Sequence, residues 1–152
     1  MKRANLVLTI IASLLCGVIL GAYLFVDTRP RPFLSLRDCE GNCLRPNELV
    51  GLLASVGIQR LPGSLPGVVK ETDKTIVIEQ PGVHTGVHYL VIPRKDIRNV
   101  ADMSDSDREY LVDLFSVMGQ IIREKNLNDY EIHTNGPGYQ TVAYLHFHLV
   151  AR

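Results

Sequence analysis

The sequence predicts an α+β domain, one antiparallel sheet packed with helices, preceded by one N-terminal transmembrane helix. Three observations carry this reading. An uncharged run from Leu6 to Val26 follows Lys2 and Arg3. A long amphipathic pattern between Ser104 and Lys125 has the three- and four-residue spacing of a helix. Around it lie short apolar segments bounded by Gly, Pro, Asn or Asp, as strands are. The implied order β-β-β-α-β-β is that of a sheet with helices laid on it.

Length and charge bound the rest. Of 152 residues, about 120 remain once the first thirty or so are set aside, enough for one domain with a real core. Lys+Arg and Asp+Glu number 16 each, for a formal net charge of zero. No basic run offers the electrostatic footprint that a nucleic-acid polymer requires, so no such partner is expected.

The run from Leu6 to Val26 is long enough to cross a hydrocarbon core of roughly 30 Å at 1.5 Å per residue. No small-x-small cleavage site precedes Asp27, and Leu15 is too large for lipoprotein-type processing at Cys16. The expectation is an N-terminal membrane anchor or uncleaved signal over residues 1–26 and a single-pass membrane protein. Basic residues flank the run almost evenly, Lys2 and Arg3 before it and Arg29, Arg31 and Arg37 after it, so the positive-inside rule decides little. Cys39 and Cys43 (DCEGNC) tilt the domain towards the extracytoplasmic or periplasmic side, where they can close a small disulfide. Two unpaired thiols remain the alternative, and a zinc half-site lacks a second ligand pair. Residues 27–45, with Pro30 and Pro32, read as a linker, and 46–152 as the folded domain.

Within that domain Pro46 to Val56 predicts a short helix, with Pro in its first turn and Gly57 after its end. A Pro/Gly-rich stretch follows from Leu61 to Gly67. Val68-Val69 and Thr75 to Ile78 flank Thr72-Asp73-Lys74 as a hairpin. After the loop QPGVHTG, His88 to Ile92 is a central strand ended by Pro93. Ser104 caps the long helix, and Asp105 and Asp107 suit the positive end of its dipole. Leu111, Leu114, Phe115, Met118, Ile121 and Ile122 form its core stripe. Tyr130 to His133 is the next strand, Asn135 to Gly138 a turn, and Thr141 to Ala151 a final long strand.

In that last segment alternation puts Leu145, Phe147 and Leu149 on one face and Tyr144, His146 and His148 on the other, about 6.6 Å apart along a strand. An H-x-H pair alone leaves three readings open: surface histidines, two metal ligands awaiting a third, or a nucleophilic imidazole.

Two blocks narrow the choice. Gln140-Thr141-Val142 with Leu145-His146-Phe147-His148-Leu149-Val150, and upstream His88-Tyr89-Leu90-Val91-Ile92-Pro93-Arg94-Lys95, resemble the signature segments of the histidine triad (HIT) family. The resemblance runs from about Gly67 to Arg152 and implies a HIT-like fold and a nucleotidyl or phosphoryl hydrolase or transferase. His146 takes the position of the histidine that attacks phosphorus, and His148 that of a histidine bonding phosphate oxygens. His88 takes that of a supporting histidine. Thr141, with Gln140 beside it, and Asn135 match phosphate or sugar contacts. Gln80, with Glu79 beside it, stands where an acidic ribose ligand is usual. His84 and His133 match no role and read as solvated loop or strand-end histidines.

The main departure is Tyr144, which occupies the place of the first triad histidine; a phenol with a pKa of about 10 is a poor proton shuttle at neutral pH. The loop NGPGYQ is also short, and Tyr139 replaces a small residue. The implied substrates are nucleoside phosphoramidates, dinucleoside polyphosphates or related conjugates, with no metal and no cofactor. The alternatives are a membrane-surface CDP-lipid pyrophosphatase, since HIT-like enzymes of that kind are membrane-anchored, and a non-catalytic nucleotide-binding module. A metal-binding protein using His146, His148 and His88 is a further one. The resemblance also implies a homodimer, against which the anchor and the altered N-terminal region weigh.

Overall fold

The computed structural model describes residues 2–34, 43–61, 63, 65–80 and 86–152. Cys39 and His84 lie outside the described residues. Cys43 is disulfide-bonded, while Cys16 is a free, exposed thiol.

Helix α1 (Lys2–Phe25) contains the stretch Asn5–Phe25, long and apolar enough to cross a membrane, with none of it buried in the protein. Helix α2 (Pro46–Arg60) runs a turn beyond the predicted end at Val56. Gly57 does not stop it, because continuing buries Ile58 against Ile76, Ile92 and Tyr144. That burial, worth about 2 kcal/mol, outweighs the roughly 1 kcal/mol disadvantage of a helical glycine.

The sheet comprises β1 (Val68–Glu71), β2 (Thr75–Glu79), β3 (Val87–Pro93), β4 (Tyr130–His133) and β5 (Phe147–Ala151), in the order β1-β2-β3-β5-β4. All neighbours are antiparallel. The β1–β2 hairpin turns where predicted, and Thr72 Oγ1 accepts the N–H groups of Lys74 and Thr75. At the start of β3, Gly86 has φ +108°, and a Cβ there would fall 2.0 Å from the Ala151 carbonyl. Only glycine allows that approach between β3 and the end of β5.

Helix α3 (Arg108–Glu124) follows a short 3-10 turn, Asp105–Asp107. The Asp107 carboxylate holds the Ser104 backbone N–H at 2.8 Å, one half of a capping box. Burial pushes the Asp107 pKa up, but hydrogen bonds from Lys95 and Ser104 bring it below its ordinary value.

Period-2 alternation gives the sheet two apolar faces. On one, Val77, Tyr89, Val91 and Leu149 meet Leu114, Val117, Met118 and Ile121 of α3. Val117 takes the buried place predicted for Phe115, which is half exposed and meets Phe147 edge-on with ring centroids 5.4 Å apart. On the other face, Ile76, Ile92 and Tyr144 meet Ile58 of α2.

Two predicted boundaries move. The last strand begins at Phe147 rather than Thr141. The segment before it bonds elsewhere: Ala143 N–H to the Asn47 carbonyl, and Leu145 N–H to the Ile97 carbonyl. The stretch after α1 is not a slack linker either. Arg31 forms a fork on Asp96, with Nη2–Oδ1 2.6 Å and Nη1–Oδ2 3.1 Å. Ser55 and the Arg29 backbone N–H donate to the same carboxylate. Burial pulls the Arg31 pKa down and Asp96 pushes it back. Two prolines made the stretch look like a spacer; a buried ion pair fastens it to the domain.

Candidate active site

β3, β4 and β5 bring four imidazoles together on the face that α2 partly covers. His146 sits one residue before β5 and His148 one residue inside it. His146 Nδ1 lies 2.7 Å from the Tyr144 carbonyl oxygen. A carbonyl only accepts, so Nδ1 carries a proton, and in the neutral tautomer Nε2 holds the lone pair. The backbone at His146 is held as well, because Thr134 Oγ1 donates to its carbonyl at 2.7 Å.

Register places His148 opposite Leu90 on β3 and opposite His133 on β4. His148 Nδ1 shares a 2.8 Å hydrogen bond with His88 Nε2. The His146 and His148 rings meet edge-on, with centroids 5.0 Å apart. His148 Nε2 is buried and has no partner among the described residues. Burial, then the neighbouring His146, His133 and His88, lowers the His148 pKa to about 4. Burial and His133 lower that of His88 too. Both rings are therefore neutral at physiological pH, so one proton sits in the bond between them.

Beside these rings opens a cleft of about 380 Å³. Ile58, Ile78, Leu90 and Ile92 make its apolar wall, and Gln80, Thr141, His146 and His148 bring polar groups to it. Among the described residues lining it there is no Asp, Glu, Lys or Arg. Such an apolar slot with a few convergent polar groups is the usual shape of a small-molecule site.

Of the residues singled out from sequence, His146, His148, Thr141, Gln80 and Tyr144 line the cleft. His88 stands behind His148. Asn135 lies in the loop after β4 and does not line the cleft. Gln140 is buried with its amide turned away, Nε2 donating to the Arg98 carbonyl at 3.2 Å. That amide braces the loop instead of facing a nucleotide.

Tyr144 requires a correction as well. It lies ahead of β5, as His146 does, but on the same α2-covered side as the two histidines. Its ring is buried in the α2-side core, and its hydroxyl donates to the Pro93 carbonyl at 2.8 Å. Burial and then Asp96 push its pKa well above the ordinary phenol value. The hydroxyl is neither aimed at the cleft nor ionisable near neutrality.

Two contributors were missed. Thr134 braces His146, and a lone threonine after a strand announces nothing. His133, expected to be a solvated strand-end residue, is exposed but stacks on His148, with centroids 4.7 Å apart and planes 13° from parallel. Its signal is the β4–β5 register, which sequence alone does not supply.

Comparison with known proteins decides the family. Residues 65–152 match the family model described as scavenger mRNA decapping enzyme C-term binding. A curated relative, an uncharacterized HIT-like protein of Chlamydia muridarum, is 32% identical over 85 residues, 54% of this chain and 68% of that protein. The chain belongs to the histidine triad family. Solved HIT structures have the same fold. A HIT family hydrolase from Clostridium thermocellum superposes with TM-score 0.56 at 26% identity, covering 64% of this chain and 89% of its own. One from Legionella pneumophila gives 0.55 at 25% identity, covering 62% and 88%.

Proposed function

We propose that this HIT protein is a nucleotide hydrolase or transferase that works through His146. The observation carrying the proposal is the hydrogen bond from His146 Nδ1–H to the Tyr144 carbonyl, which leaves Nε2 as a nucleophile beside the cleft. In this reading Nε2 attacks a phosphorus atom, the N–P bond forms, and the bond from phosphorus to the leaving group breaks. The leaving group departs with a proton drawn from the site or from water. Positive charge on the phosphorylated ring is offset by the Tyr144 carbonyl. Water then attacks phosphorus, the N–P bond breaks, and the imidazole is restored.

When His88 Nε2–H is the donor in the shared bond, the His148 proton lies on Nε2. That unpartnered N–H then donates to a phosphoryl oxygen, and Thr141 is placed to add a second donor. The apolar wall suits a nucleobase, and Gln80 bonds a sugar hydroxyl as a neutral group. Substrates in this reading are nucleoside phosphoramidates, dinucleoside polyphosphates or related conjugates.

The partners follow from the same reading. α1 anchors the enzyme in a membrane, and the Cys43 disulfide favours an oxidising, extracytoplasmic compartment. Among the described residues no strand pairs with the outer edge of β4, and its residues are exposed, which supports a homodimer through that edge.

The test is a single turnover on a panel of such nucleotides, with the His146 adduct sought by mass spectrometry. His146→Ala is expected to lose at least about 10³-fold in kcat. Unchanged turnover by that variant would refute the mechanism.

A further inference from the structure

Only one face of α2 is accounted for by the fold. Glu48, Gly51, Ser55 and Ile58 are buried. On the opposite face stand Val50, Leu53, Gly57 and, one residue past the helix, Leu61, at helical spacing. Val50 is 43% exposed, Leu53 59% and Leu61 58%. No charge interrupts this face until Arg60. The outward residues of α3 mix Glu109, Gln120 and Arg123 with the exposed Val112 and Phe115. An exposed apolar face of this kind marks contact with a second apolar environment.

The uncovered face adjoins the end of α1. The Arg60 guanidinium carbon is 4.7 Å from the Tyr23 ring centroid, and its Nη2 is 2.6 Å from Asp27 Oδ2. Arg29 and Arg31 then fasten the following residues to Asp96, Asp102 and Asp107. No free tether separates the apolar helix from the domain. Where α1 leaves a bilayer, the C-terminal end of α2 at Arg60 lies beside it.

We propose that the outer face of α2 rests on the bilayer that α1 enters, with Val50, Leu53 and Leu61 in the headgroup–acyl boundary. Tyr23 and Arg60 then sit at headgroup level, where aromatic and arginine side chains are favoured. The inner side of the same helix supplies Ala54 and Ile58 to the cleft. The cleft is thereby held about one helix diameter, roughly 10 Å, from lipid. This inference rests on α1 being a membrane anchor and is independent of the hydrolase chemistry.

The chain contains no tryptophan, which makes the experiment direct. Full-length Leu53→Trp, with Val50→Trp as a second reporter, is reconstituted in liposomes containing lipids brominated near the headgroup. Val112→Trp, on α3 at a 62% exposed position, is the control. The expected result is blue-shifted emission from Leu53→Trp, quenched roughly twofold or more by the brominated lipid, and neither effect for Val112→Trp. Water-like, unquenched emission from both α2 reporters in protein that floats with the vesicles overturns the docking. So does a blue shift without quenching that grows with protein-to-lipid ratio, which assigns the face to a second copy. Protein that does not float overturns the anchor reading, and the docking with it.

Discussion

Arg31→Met tests whether the chain after α1 is part of the domain. Both partners of the ion pair are out of water, at 0% and 1% side-chain exposure. Asp96 receives donors from Arg31 Nη1 and Nη2, from Ser55 Oγ and from the Arg29 backbone. Met keeps the length and apolar bulk of the arginine stem but removes the two guanidinium donors. A buried carboxylate then keeps a full charge with half its donors. Breaking a buried pair in this way costs about 3–5 kcal/mol, most of it the penalty on the partner left behind. For a domain of this size that is a Tm loss of about 10 °C or more. The assay is thermal and urea unfolding of the full chain in detergent micelles, alongside Asp96→Leu and the double variant. The double variant leaves no lone buried charge, so it should be more stable than the sum of the single losses by about 2 kcal/mol or more. A loss below about 1 kcal/mol for Arg31→Met, or strict additivity in the cycle, would mean that the segment is slack after all.

Three further outcomes follow. Tyr144→Phe removes the bond to the Pro93 carbonyl, so unfolding should cost about 1–2 kcal/mol less while kcat stays within roughly threefold; a loss of about 10²-fold would restore the hydroxyl to the chemistry. Gly51→Ala would set a Cβ 2.6 Å from the Ala143 carbonyl and 3.0 Å from Arg31 Nε. It should destabilise by about 1–3 kcal/mol despite alanine's better helix propensity and lower kcat by displacing the loop ahead of His146; stability equal to or above wild type would show the contact is loose. The folded His148 pKa of about 4 is below its unfolded value near 6.5, so the folded state binds fewer protons. Its contribution is complete above about pH 6.5 and disappears as pH falls through about 4, about 1–2 kcal/mol once solvent screening of the half-buried ring is allowed for. Denaturant titrations of wild type and His148→Asn across that window should converge towards acid, and parallel curves would refute the shift.

The fold was legible because its elements follow local rules. The hairpin around Thr72, the strand Tyr130–His133 and the α3 stripe each follow from spacing and turn chemistry within a dozen residues. Contacts between distant segments were not. Nothing near Pro30 and Pro32 says that Arg31 meets Asp96, 65 residues away. The strand start was misread because Thr141 to Leu145 is as apolar and β-branched as a strand. Its N–H groups nevertheless find α2 and Ile97, and bonds to other elements are invisible to periodicity. The site shows the same division. His88, His146 and His148 were found because their motifs are local. Thr134 and His133 were not, because their positions matter only through the β4–β5 register.

Residue 144 shows why a family pattern and its physical basis come apart. From sequence, a tyrosine in place of a histidine threatened the orientation of His146. In the structure that orientation comes from the carbonyl of residue 144, which every amino acid carries. The side chain is therefore free to serve the core, provided that the backbone stays in place. A buried tyrosine does this well: its hydroxyl ties residue 144 to the end of β3 at Pro93, while its ring packs on Ile58 of α2. Tyr144 thus anchors the peptide group that holds His146. It follows that side chains which keep this anchor should preserve the His146 tautomer, whereas displacing the loop at Ala143 should disturb it even with Tyr144 intact.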